Sequence, residues 1–211
     1  MTMMLKDLFR EYEALAARAD RAFEAVQKEH GACVKCGEQC SDCCHSVFGL
    51  FLIESVYLHV HLHKLLDEKR RREALLRGDQ QDLDLQELEK KLQVHADHPE
   101  LQARAMAGER VRCPLLGEEQ KCELYSFRPI TCRVYGIPTV INGKVHACWK
   151  AGFEKGRPYP AFDLDGTYRE LYRLSEELLE MAGQENKERA SLLVSVAKSI
   201  KTPLEDLIHE V

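Results

Sequence analysis

Apolar residues recur every three or four positions at the start of the chain, at Leu5, Leu8, Tyr12, Leu15, Ala19, Ala22 and Val26. That spacing paints one face of an amphipathic helix over 5–26, with Gly31 as its stop. A second apolar stripe, Val56, Tyr57, Val60, Leu62, Leu65 and Leu66, predicts a helix over 54–77 ended by Gly78. Leu83, Leu85, Leu88 and Leu92 mark a charged helix over 80–93. His98-Pro99 interrupts it, since proline disfavours helix in the residue before it, and a short helix follows to about 107. Residues 79–108 are the most polar stretch and read as a helical spacer. The period then changes. Val140 to Val145 encloses Asn142-Gly143, the pair suited to a type I′ turn, and predicts a β-hairpin. Two glycines and two prolines make 152–160 a linker. Asp165 or Thr167 is the expected cap of a helix to about 182, with Leu171, Leu174, Leu178 and Leu179 on its inner face. Further helices are expected over 187–200 and 203–209, the last opened by the capping-box pattern Thr202-Pro203-Leu204-Glu205. The expected fold is mainly α: one domain over 1–211, helical around an irregular centre with one small hairpin. It comprises an N-terminal helix in 1–32, a central region 33–150 with a helical insertion at 51–108, and C-terminal helices in 151–211.

Composition narrows the partners. With 211 residues and 45% apolar content the chain can bury a sizeable core. A net charge of −5 argues against a non-specific grip on nucleic acid. No apolar run approaches the ~20 residues of a membrane helix, and Met1 to Arg10 lacks the apolar core of a signal peptide. The expectation is a cytoplasmic protein that binds neither membrane nor nucleic acid. Its amphipathic helices, 5–26 above all, offer a face for an unknown protein partner, although core packing is the simpler use of such a stripe. His59 and His63 share a helix face at i,i+4, the spacing of a metal pair, but no H-E-x-x-H accompanies them, and they read as ordinary helix histidines.

The cysteines change the picture most. Cys33, Cys36, Cys40, Cys43 and Cys44 fall within twelve residues, and Cys113, Cys122, Cys132 and Cys148 form a second group about seventy residues on. Core packing does not call for that density, because a buried cysteine acts only as a small apolar side chain. In a reducing compartment such clusters are metal ligands rather than disulfides, and nine is an odd number to pair. Cys36-x3-Cys40-x2-Cys43 places three sulfurs on a short loop; the downstream spacings suit a chain wrapped around a site. Cys43 and Cys44 are adjacent, so sharing one metal would strain them. Thiolates select zinc and iron–sulfur clusters. Zinc favours paired C-x2-4-C knuckles, which only the first group approaches. A short run plus a distant cysteine is nearer the [4Fe–4S] habit, so a [4Fe–4S] cluster is preferred and zinc is the alternative. Arg128 and Arg133 are the cations expected to offset a negative thiolate site; Lys35, Lys121 and Lys150 read as surface charges. A nucleophilic cysteine would need a base beside it. Cys44-His45 and His146-x-Cys148 are neighbours only along the chain, and no catalytic residue is assigned.

The combination C-x3-C-x2-C-C (Cys36, Cys40, Cys43, Cys44), C-P-L-L from Cys113, C-x2-Y-x2-R-P-x2-C-R (Cys122, Tyr125, Arg128, Pro129, Cys132, Arg133) and Cys148 resembles the YkgJ family over about 33–150. Its members are bacterial cysteine-cluster proteins with a zinc- or iron-chelating domain. The resemblance implies metal binding by the matching cysteines. Flagellin lysine methylases share a related pattern and an iron–sulfur centre, which favours iron–sulfur here. Their activity does not carry over, because this chain has no glycine-rich nucleotide loop. Cys33 stands outside the pattern.

Overall fold

In the computed structural model, residues 3–37 and 40–209 are described. Helix α1 (Met3–His30) buries Leu5, Leu8, Phe9, Tyr12, Ala16, Ala19 and Val26. The 5–26 stripe is thus turned into the chain's own core, with Leu15 and Ala22 at its margin. Helix α2 (Leu52–Leu65) is buried on almost every side from Leu52 to Leu62. It is enclosed by α1, by α6 (Leu164–Met181), by α7 (Val196–Lys201) and by α8 (Leu204–His209).

The helix boundary expected at Gly78 lies earlier. Leu66 is extended, and the Asp67 carboxylate accepts from the Arg70 N–H at 2.9 Å, capping a new helix, α3 (Glu68–Gln93). That helix runs straight through Gly78, where a Cβ would stand 3.1 Å from the Lys201 side chain. The glycine serves the close approach of α7 rather than a stop. Helix α4 (Pro99–Gly108) starts at the expected proline. Helix α5 (Ile130–Val134) is a single turn carrying Cys132.

The hairpin forms as expected from β1 (Thr139–Ile141) and β2 (Lys144–His146), with Asn142 and Gly143 both at positive φ, 52° and 69°. A two-residue strand, β3 (Phe162–Asp163), pairs parallel to β1 and was not legible in the periodicity. The cap of α6 is Asp163, which accepts from the Gly166 N–H at 2.8 Å. Asp165 instead accepts from the N–H groups of Asn142 and Gly143 at 2.8 and 2.9 Å, holding the hairpin turn. The helix expected over 187–200 divides. A 3₁₀ turn at Lys187–Ser191 gives way to extended chain whose Val194 exchanges both backbone hydrogen bonds with Leu50. Ser195 then caps α7 through the Lys198 N–H at 3.0 Å.

Two apolar clusters result. The larger joins α1, α2, α5 and α6; the smaller gathers Leu50, Leu58, Leu62, Leu115, Leu124 and Ile200. Cys36 packs against the first, and Cys113 and Cys122 against the second. Among the described residues no helix is long and apolar enough to cross a membrane.

Candidate metal centre

Four separate segments bring the cysteines together. The first leaves α1 and turns back at Gly37, whose carbonyl accepts from the Cys40 N–H at 2.9 Å. It then forms a 3₁₀ turn at Cys43–His45. The second lies alongside that turn, with the N–H groups of Val111 and Cys113 donating to the carbonyls of His45 and Cys44 at 3.1 and 2.7 Å. A loop closed by the Leu116–Cys122 bridge returns Cys122 beside Cys113. The third is α5 with Cys132, and the fourth is the turn after β2, where Ala151 N–H meets the Cys148 carbonyl at 2.9 Å.

Seven thiols, those of Cys36, Cys40, Cys43, Cys44, Cys113, Cys122 and Cys132, line one cavity of about 230 Å³, together with Arg128 and Arg133. Among the described residues no carboxylate or imidazole lines it. Cys148 lies behind, on a separate space of about 10 Å³ that it shares with Cys36 and Cys40. Cys36 fits because residue 136 is glycine: a Cβ there would fall 2.3 Å from the Cys36 Cβ. Cys33 lines neither space; its carbonyl accepts from Gly152 N–H at 2.8 Å and ties the first segment to the fourth. All nine cysteines are free thiols. Among the described residues no three His, Cys, Asp or Glu side chains are set to hold a single metal ion.

The electrostatics are those of crowded sulfur. Burial, then the neighbouring Cys40 and Cys43 sulfurs, push the Cys36 thiol up to about 11. Burial with Cys122 raises Cys113 to about 12, and burial raises Cys122 to about 11. Cys43 goes the other way. Hydrogen bonds from the Cys132 and Cys44 thiols lower it to about 3, with Arg128 contributing, and those two donors are raised in turn. Burial and crowding thus favour the protonated thiol at Cys36, Cys44, Cys113, Cys122 and Cys132, while the charge is favoured at Cys43. A bound cation would favour the thiolate at each of its ligands. The donor set therefore fits a soft metal or an iron–sulfur cluster, which thiolates select.

Arg128 and Arg133 both line the cavity. Arg133 is almost fully buried; it donates to the carbonyls of Arg128 and Ser126 at 2.9 and 2.7 Å and pairs with Asp20 of α1 at 2.6 Å. Arg128 stacks on Tyr125 with its guanidinium carbon 3.9 Å from the ring centroid. Lys150 is a surface charge as expected, but a paired one: its Nζ lies 3.1 Å from Asp42 Oδ1. Asp42 is only 2% exposed. It accepts from Arg110 at 2.7 Å and Tyr135 at 3.2 Å, and the Cys148 thiol donates to it at 3.5 Å. Burial would raise the Asp42 carboxyl, but Lys150 and Arg110 outweigh it and hold it below the usual range. Asp42 thus touches all four segments, the third through Tyr135, which closes α5. Sequence reading passed over it, although an acid lodged between Cys40 and Cys43 was the available signal; Arg110 carried none. The histidine pair is part of the packing. His59 Nδ1 lies 3.1 Å from the Ser199 carbonyl, its ring 4.5 Å from that of His63, and burial lowers both pKa values.

No curated protein and no solved structure matches this chain. The family model CxxCxxCC, described as a putative zinc- or iron-chelating domain, matches residues 32–148, more than half of the chain. That span opens beside Cys33 and closes on Cys148, the outermost of the cysteines gathered in the fold. The chain belongs to the CxxCxxCC family of metal-chelating proteins.

Proposed function

We propose that this is an iron–sulfur protein, holding a [4Fe–4S] cluster in the cysteine-lined cavity and serving electron transfer, redox sensing or an accessory role to a partner. One observation carries the reading. The thiols stand around a cavity of about 230 Å³ and no three donors among the described residues converge as a single ion requires. A lone zinc ion draws its sulfurs to about 2.3 Å from one point. A cluster interposes iron and sulfide, so its cysteines sit further apart around a larger volume. Arg128 and Arg133 on the cavity wall support the same reading, because hydrogen bonds and charge near the sulfurs set a cluster's stability and potential. When bound, the cluster supplies one-electron chemistry. The chain's part is to supply thiolates, exclude water with the two apolar cores and balance the negative charge.

The test is elemental analysis of protein purified without oxygen. The expected result is about four iron and about four sulfide per chain with visible charge-transfer absorption. Colourless protein with stoichiometric zinc and no sulfide overturns the reading and leaves a zinc-stabilised interaction module in its place.

A further inference from the structure

We propose that the surface around Trp149, rimmed by Lys35, Arg110 and Lys150, docks a small acidic protein that exchanges electrons with the centre behind it. The exchange of electrons rests on the iron–sulfur reading above; the docking does not.

The tryptophan is the first argument. Trp149 is the sole tryptophan of the chain and stands 75% exposed. So large an apolar ring is ordinarily well covered, and tryptophan is enriched where a partner covers it. Charge is the second argument. The whole chain is at −5, yet residues 142–160 hold four exposed basic residues, Lys144, Lys150, Lys155 and Arg157, against one acid, Glu154. The excess is greatest beside the tryptophan. Lys150 Nζ lies 5.3 Å from the centre of the Trp149 ring. Arg110 and Lys150, both partly exposed, meet the same Asp42 carboxylate at 2.7 and 3.1 Å. One buried negative charge thus faces two positive ones. Lys35 adds a third cation, since it lines the small space behind the cavity together with Lys150. Among the described residues no carboxylate other than Asp42 pairs with these three. A positive rim around an apolar anchor is complementary to an acidic face and steers its approach.

Position is the third argument. Lys35 precedes Cys36 and Trp149 follows Cys148, and both cysteines border the small space. The rim of this surface and the wall of the thiol-lined interior are therefore built from the same two turns. In the exchange one electron leaves the carrier, which is oxidised, and enters the cluster, which is reduced; no bond is made or broken and no proton moves. Single-stranded nucleic acid also meets cations and aromatic rings, but along a groove with successive stacking platforms. One tryptophan among three cations is a spot rather than a track.

The experiment uses the full chain purified without oxygen. Calorimetric titration with a plant-type ferredoxin, a small acidic carrier, is set beside titration with a single-stranded oligonucleotide. The expected result is one ferredoxin per chain, with affinity falling about tenfold or more between about 20 mM and about 200 mM salt. Trp149→Ala should weaken binding about tenfold or more, and Lys35→Glu about threefold or more. Lys6→Glu, about 35 Å away along α1, should leave it unchanged. Quenching of the sole tryptophan needs no substitution: anionic iodide should quench it at least about twice as well as cationic caesium at low salt. The docking is overturned if the ferredoxin does not bind, if binding ignores both Trp149→Ala and Lys35→Glu, or if iodide and caesium quench equally. An oligonucleotide that binds more tightly than the ferredoxin also overturns it and makes the face a nucleic-acid site. Should a variant misfold, the quenching comparison on the wild type decides. Colourless zinc-loaded protein that binds the ferredoxin with these dependences upholds the docking and overturns the iron–sulfur reading; iron–sulfur protein that ignores the ferredoxin does the reverse.

Discussion

The helical shell and the cysteine-bearing centre are held by different forces. In the shell, α2 and α6 meet through Ile53, Val56, Leu171, Leu174 and Leu178, all essentially inaccessible to solvent. Burial of such side chains contributes about 1.5–3 kcal/mol each and needs no precise partner. In the centre, polar hubs join the segments beside the apolar contacts: Asp42 reaches Arg110, Tyr135 and Lys150, and Arg133 ties α1 to the 126–128 turn. Glu54 bridges the two regions. Its carboxylate accepts from the Ile130 N–H at 3.0 Å and from Phe51 N–H at 3.3 Å, tying buried α2 to the turn that carries Cys132. The contrast teaches that the shell rests on apolar pattern, whereas the centre also depends on specific charged partners.

That division can be broken from either side. Leu171→Ala should cost about 3–4 kcal/mol of stability by opening a cavity in the shell. Metal content per folded chain should be unchanged, as read by denaturant unfolding beside elemental analysis. Glu54 gives the next effect. Burial raises its carboxyl to about 7, above an unfolded value of about 4.3. Its protonated form is therefore favoured in the fold, and the contribution is full below the unfolded value and lost as pH rises through 7. Between pH 5 and pH 8 the wild type should lose up to about 3 kcal/mol relative to Glu54→Gln; parallel pH profiles for the two proteins would refute the assignment. Asp42→Ala removes a buried charge from partners that are themselves partly exposed, so the loss should be about 2 kcal/mol. Unlike Leu171→Ala it should also lower the metal bound per chain. The smallest effect belongs to the surface: Arg173 pairs with Glu11, Glu170 and Glu177, yet Arg173→Ala should change stability by less than about 1 kcal/mol.

The same division explains what was legible in the amino-acid order. Apolar spacing located α1 and the inner face of α6, and Asn142-Gly143 located the hairpin, because each is a local signal. Strand β3 and the split at Val194 escaped, since both depend on partners far along the chain, Thr139 and Leu50. Gly78 misled because a helix-breaking residue in one context is a packing accommodation in another. At the site, cysteine density announced the chemistry. Asp42, Arg110 and the role of Lys150 stayed hidden, because a charge is read as solvated until its neighbours are known. Cys148 groups with the other downstream cysteines by sequence distance, although the cysteines that share its space, Cys36 and Cys40, come from the first group.

Because the Cys113 N–H reaches the Cys44 carbonyl and the last thiol belongs to residue 148, the ring of sulfur closes only late in synthesis. Chains emerge from the ribosome N-terminal end first. Five thiols are thus exposed long before their companions exist. During that interval the nascent polypeptide is open to oxidation and stray metal, and a centre that used Cys148 could not be completed until that residue had been made.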